Sequence, residues 1–202
     1  MESTPILKTA RLLLRPFRPG DAPALLEILG DREVNRSLPM FPLENLTQAE
    51  AYLEELLDAQ RAGGLHWAVC RRAEGFPVGY IHVDGGESCD LGYGLRRDLW
   101  GQGIVTEAGR AVVEAARVAG LPYLTATHDR NNPASGAVMR KLGMTYRYSY
   151  VEQWQPKNIP VTFRMYQLTL DGGADRTYRG YWDRWPKHFV EPEGNGKQTP
   201  GA

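Results

Sequence analysis

Two cysteines, Cys70 and Cys89, are all that a chain of 202 residues carries. That is too few for a disulfide framework, and the pair has no metal-ligand spacing. The histidines are as sparse. His66 and His82 stand singly on separate alternating stretches, which excludes the paired His/Cys pattern of a zinc site, so no metal is expected. Charge of one sign is missing too: 24 Lys and Arg balance 24 Asp and Glu. A dedicated nucleic-acid or anionic-membrane binder normally shows a basic surplus, so neither partner is expected. No apolar run is long enough to span a bilayer. The start, Met1-Glu2-Ser3-Thr4-Pro5, is neither basic nor followed by an apolar core, so no signal peptide is expected and the location expected is cytoplasmic. The sequons Asn35-Arg36-Ser37 and Asn45-Leu46-Thr47 are then accidents of composition. Internal repeats are absent.

What is present is an ordinary globular composition, 42% apolar and 24% charged, in a length that can bury a substantial core. Patterning predicts a mixed α/β domain over residues 8–170. An edge strand is expected at 10–16, followed by a short helix from Gly20-Asp21 to Leu29 and a loop with a helical turn at 33–42. Thr47 and Glu50 read as a capping box for a helix to about Arg61, stopped by Gly63-Gly64. Strands follow at 65–72, 77–84 and 89–95, then a long helix at 104–118, a strand at 121–127 and a helix at 134–142. A hairpin of 145–154 and 161–170 completes the domain. Residues 171–190 read as an aromatic extension packing on the domain, in which Tyr178, Tyr181, Trp182 and Trp185 have helical spacing. Structural cover of a sheet edge is the preferred reading, against a wall of an acceptor site or a dimer interface. The Gly/Pro/polar stretch 191–202 reads as a disordered tail.

The stretch Trp100-Gly101-Gln102-Gly103-Ile104-Val105-Thr106-Glu107 is the most informative. It places two glycines directly before the long helix, where unpaired amides and the positive helix end converge and no side chain blocks a phosphate. Two glycines also suit a plain turn. No Gly-Lys-Ser/Thr follows, and neither Gly92-Tyr93-Gly94 nor Gly101-Gln102-Gly103 reaches the third glycine of a dinucleotide fingerprint. Some thirty residues on come Asn132-Pro133-Ala134-Ser135 and Arg140-Lys141-Leu142-Gly143.

Together these motifs resemble the GNAT superfamily of N-acetyltransferases, in its branch of ribosomal-protein N-terminal acetyltransferases. The superfamily pattern Gln/Arg-x-x-Gly-x-Gly/Ala falls on residues 100–105, where Gly103 matches while Trp100 and Val105 depart from it. A branched Val105 is expected to crowd the loop. Trp-Gly-x-Gly before Thr-Glu-Ala is similar to the ribosomal variant. The resemblance implies a mostly antiparallel sheet with splayed central strands flanked by helices, and acetyl-CoA as cosubstrate. It implies that the backbone of Tyr93 and Leu95 pairs with pantetheine, that amides of Gly101, Gln102, Gly103, Ile104 and Val105 take the diphosphate, and that Asn132 bonds the pantetheine amides.

Arg97, beside the turn, is a further candidate for the donor's charge, with a solvated strand end as the plainer reading. Many relatives carry a tyrosine acid four residues before the Lys-x-Gly glycine; here that position is Met139, so Ser135 is assigned the acid role by resemblance. Asp84 and Asp90, with Glu87, cluster between two central strands and are the base candidates. His128, Asp129, Glu33 and Glu107 are also considered, Glu107 rather as support for the helix start. The acceptor expected is a primary amine: a protein N-terminus, or a small molecule of aminoglycoside or polyamine type. A homodimer stays open. The alternative function is a non-catalytic acyl-CoA binding or sensor module, which Met139 permits.

Overall fold

Asn45 starts the long N-terminal helix, its side chain accepting from Gln48 N at 3.0 Å while Gln48 Oε1 accepts from Glu44 N at 2.8 Å. The expected cap at Thr47 thus moves two residues toward the N-terminus, because several neighbouring polar residues satisfy the same local rule. In the computed structural model, which describes residues 4–173 and 176–192, the strands are β1 (Leu7–Lys8), β2 (Leu12–Arg15), β3 (Leu65–Arg71), β4 (Pro77–Val83), β5 (Leu91–Leu95), β6 (Tyr123–Asp129), β7 (Thr145–Trp154), β8 (Ile159–Thr169) and β9 (His188–Phe189). The helices are α1 (Ala22–Leu29), α2 (Arg32–Asn35), α3 (Leu46–Arg61), α4 (Ile104–Val118), α5 (Pro133–Lys141) and α6 (Gly180–Arg184). No helix among the described residues is long and apolar enough to cross a membrane.

The strands form two antiparallel sheets, β1-β2-β3-β4-β5 and β6-β8-β7-β9. They meet through a single parallel bridge between Asp90 and Thr125, with Thr125 N donating to Cys89 O at 3.2 Å. Beyond it β5 and β6 separate, which is the splay the resemblance implied. One face of the first sheet carries α4, whose Ile104, Ala108, Val112 and Ala116 pack on Trp67, Ile81, Leu91 and Leu124. Gly109 lets α5 approach, since a Cβ there would lie 2.8 Å from Leu142. The opposite face is covered by α1 and α3 through Leu25, Ile28, Leu29, Leu53 and Leu57. At the domain edge, Arg15 and Asp21 form a buried two-pronged ion pair at 2.7 and 2.8 Å.

Residues 176–192 lie on the second sheet. Tyr181, Trp182 and Trp185 cover a cluster of Tyr148, Tyr150, Trp154 and Phe163. β9, too short for any period to reveal it, adds to β7 through Ser149 and Phe189. Glu191, where the sequence suggests a tail begins, is held by Arg164, by Ser149 Oγ at 3.0 Å and by Tyr146 Oη, which accepts from its N–H at 2.9 Å. The rest of that expected tail, 193–202, lies outside the described residues.

Candidate active site

Strand pleating divides β5 into two faces. Leu91, Tyr93 and Leu95 point into the α4 side. Asp90, Gly92 and Gly94 belong to the other. A Cβ on Gly92 would lie 2.3 Å from the His82 ring, and one on Gly94 2.4 Å from the Tyr80 ring. The Gly-Tyr-Gly run therefore exists to let two β4 rings lie across the strand.

From Leu95 the chain passes through a short 3-10 turn, Arg97–Leu99, locked by Trp100 Nε1 donating to Leu95 O at 2.9 Å and Gln102 Nε2 donating to Asp98 O at 3.0 Å. Gly101 and Gly103 both take φ +74°, a conformation that side chains resist. Space in front of them is open: a Cβ on Gly101 would meet nothing within 4 Å, and one on Gly103 only Arg11 Nη2 at 3.8 Å. The first helical bond runs from Glu107 N to Gly103 O, so the preceding amides end the helix without intrahelical partners. Exposed amides, a helix N-terminus and two absent side chains are the features that an anion-binding turn requires. Val105 does not crowd it, because its side chain packs against the core.

The arginines beside the turn have carboxylate partners. Arg97 pairs with Asp31 at 3.1 Å, and Arg96 with Asp98 and Glu27, so both arginines are engaged by carboxylates. Arg11, which no local signal marks, reaches the turn from the β1–β2 connection: its Nη1 donates to Gln102 O at 3.1 Å and its Nε to Glu107 Oε2 at 2.6 Å. Glu107 also accepts from Thr9 Oγ1 at 2.6 Å and from Arg11 N at 3.0 Å. Burial opposes its ionisation, but these bonds outweigh it and hold its pKa below the ordinary value. Glu107 thereby fastens the head of α4 to the first sheet.

On the α4 side of the splay, Asn132 Oδ1 caps α5 by accepting from Ser135 N at 3.3 Å. Ser135 Oγ lies 2.9 Å from the Tyr93 hydroxyl, which also donates to Ser135 O at 2.9 Å. Burial raises the Tyr93 pKa, so the phenol keeps its proton. Met139 is buried in the core. His128 is buried too, with Nδ1 2.7 Å from Asp129 O and Nε2 beside the Gly136 backbone. Asp129 Oδ1 accepts from Asn131 N in a local turn.

On the opposite face stands Asp90. It is half-buried, and its Oδ1 accepts from Thr125 Oγ1 at 3.2 Å. Burial, and then the nearby Asp84 carboxylate, push its pKa up to about 7, against hydrogen bonds from Thr125 and Tyr181 that lower it. Asp84 is exposed and 3.7 Å from His82 Nε2; its N–H closes the hairpin on Asp90 O. Glu87 is exposed, and its backbone carbonyl accepts from the Tyr123 hydroxyl. Of the three acidic residues, Asp90 alone is drawn into the place where the sheets part.

Comparison with known proteins agrees with this geometry. Residues 11–145 match the model of the acetyltransferase (GNAT) domain. The chain is 28% identical over 145 residues to the uncharacterized N-acetyltransferase YoaA of Bacillus subtilis (strain 168), an alignment covering 69% of this chain and 82% of that protein. A GNAT-family acetyltransferase from Bacillus anthracis superposes with a TM-score of 0.73 at 21% identity, over 83% of this chain and 99% of that one. The ribosomal L7/L12 α-N-protein acetyltransferase RimL, solved with coenzyme A, gives 0.73 at 19% identity, over 84% and 100%. A glycine cradle at a helix head, two sheets splayed beside it and a family model spanning most of the chain agree: the protein belongs to the GNAT family of acetyltransferases.

Proposed function

We propose that this acetyltransferase moves the acetyl group of acetyl-CoA directly to a primary amine, with the proton acceptor and the proton donor on opposite faces of β5. The diphosphate rests on the amides of Gly101, Gln102, Gly103, Ile104 and Val105, with Arg11 and Arg97 at its rim. Pantetheine pairs with the β5 backbone from Tyr93 to Leu95, on the side that β6 leaves free, and Asn132 meets its amides. A β5 amide faces the thioester carbonyl and stabilises the oxyanion.

Asp90 takes the proton of the attacking nitrogen as the C–N bond forms. When the intermediate collapses, the C–S bond breaks and the thiolate is protonated from Ser135, with the Tyr93 phenol behind it as a second hydroxyl. Asp84 contributes a negative charge that raises the basicity of Asp90 and attracts an ammonium. The single observation that carries this reading is the placement of the Asp90 carboxyl, bonded to Thr125 where the sheets join, and of the Tyr93 hydroxyl, paired with Ser135, on the two faces of the chain at the splay. A base near neutrality suits an α-amine of pKa about 7.7–8.0 better than a lysine near 10.4. The preferred acceptor is therefore a low-pKa primary amine, such as a peptide N-terminus.

Tyr93 also answers the alternative of a non-catalytic binding module, since it brings a phenol where Met139 has none. The test is thiol release from acetyl-CoA over a panel of amines, with the acetylated product identified by mass spectrometry. Coenzyme A binding without release for any amine would restore the binding-module reading.

A further inference from the structure

Three glycines let three rings fold down onto the α1–α3 face of the first sheet. A Cβ on Gly64 would lie 2.9 Å from His66 Nε2, and Gly92 and Gly94 give the same room to His82 and Tyr80. The rings run side by side: the His66 and His82 centroids are 5.3 Å apart with planes at 25°, and those of Tyr80 and His82 are 6.3 Å apart at 6°. Glycine inside a strand weakens it and often marks a place where another group approaches the backbone closely. Here the folded rings border a cavity of about 100 Å³. His66, Tyr80 and His82 line it from the sheet, while Tyr52 and Leu56 of α3 and Phe17 close it from the other side. That far wall is fixed, since Phe17 N donates to Gln60 Oε1 at 2.7 Å.

We infer that this cavity is the specificity pocket of the acceptor, and that it takes a small, uncharged, aliphatic side chain carried on the carbon that bears the amine, as in a peptide beginning with valine. This deepens the acetyltransferase reading and rests on it. Tyr80, His82 and Asp84 alternate along one face of β4 and its continuation, and Asp84 N donates to Asp90 O at 3.0 Å. An amine held at Asp84 and Asp90 is thus two residues, about 7 Å, along the strand from His82. A short side chain on the carbon bearing the amine, with its van der Waals contact, bridges that distance.

Charge does not suit the cavity. No Lys, Arg, Asp or Glu lines it among the described residues. Burial lowers the pKa of both imidazoles, that of His82 to about 4, so both rings are neutral near neutrality. An ionised side chain would lose water there without gaining a partner. Size is limited as well: an apolar cavity of about 150 Å³ takes up benzene, so this one has room for roughly three or four carbons and not for an aromatic ring. A packing gap of the same volume would leave acceptor preference independent of its walls.

Tetrapeptides that differ only in a first residue of Gly, Ala, Val, Phe, Lys or Glu are the probes, with acetyl-CoA and the full chain. Val should exceed Gly in kcat/KM by about tenfold or more, each buried carbon adding about fourfold, and Phe, Lys and Glu should fall at or below Gly. Leu56 is half-buried, so substitution there spares the core. Leu56→Ala should enlarge the cavity and raise the Phe-to-Val ratio by about tenfold. Leu56→Trp should fill it and bring Val down to Gly, with coenzyme A affinity unchanged in both variants. One order of peptides shared by wild type and both folded variants overturns the inference and leaves the acetyltransferase reading intact, and so does an enzyme that acetylates other amines but none of these peptides. A wild-type protein that transfers acetyl to no amine overturns both.

Discussion

Gly103→Val separates a conformational cost from a binding cost at the head of α4. At φ +74° a β-branched residue costs about 1–3 kcal/mol. No packing penalty adds to this, since the new Cβ would have only Arg11 Nη2 near it, at 3.8 Å. For a domain of this size about 1 kcal/mol moves Tm by roughly 2–4 °C, so the variant should melt several degrees lower and still fold. Donor binding should suffer more. The valine side chain projects into the open space where the diphosphate is proposed to sit, and hydrogen bonds to a charged group contribute about 1.5–3 kcal/mol each. Losing one lowers affinity by about tenfold or more. Calorimetry with coenzyme A on the folded variant reads this directly, and pantetheine, which lacks the diphosphate, should bind both proteins alike. Equal coenzyme A affinity in wild type and folded Gly103→Val would refute the cradle, whatever happened to Tm.

Three further outcomes are expected. Ser135→Ala should lower kcat by about tenfold or more while donor affinity stays within about twofold, and Tyr93→Phe should act similarly, with the double variant no worse than the poorer single one if the hydroxyls work as a unit; undiminished turnover in both singles would remove the pair from proton delivery. Asp90 has a folded pKa of about 7 against about 3.9 unfolded, so between those values the folded state keeps a proton the unfolded state has lost, and stability declines as pH rises through that window. Asp90→Asn escapes the decline: it should be more stable than wild type by roughly 1–3 kcal/mol above neutrality, match it at strongly acid pH and acetylate poorly, whereas stability curves running parallel across the window would show that Asp90 ionises normally. Asp21→Ala leaves the buried Arg15 guanidinium uncompensated and should cost about 3–5 kcal/mol in urea denaturation; a loss under about 1 kcal/mol would mean that water reaches the site.

The sequence alone determined whatever depends on neighbours within a few residues. The α4 boundaries read from it, 104 and 118, are those of the fold, because a glycine before the helix and an apolar period along it are local statements. The same holds for the β7 limits, the glycine pair with its open front, and Ser135 in the first turn of α5. Where two local solutions compete, as at Asn45 and Thr47, the choice passed to the surrounding structure. Contacts across long stretches of chain were decided by tertiary structure. Arg11 reaches Glu107 over 96 residues and Tyr93 reaches Ser135 over 42, and neither pair leaves a periodic or spacing signal. Tyr181 carried a helical spacing that spoke only of packing; that its ring stacks on Tyr150 depends on how α6 sits on β7. Side-chain periodicity says which face of an element is buried, but which residues meet across the gap is decided by the packing of one sheet against the other.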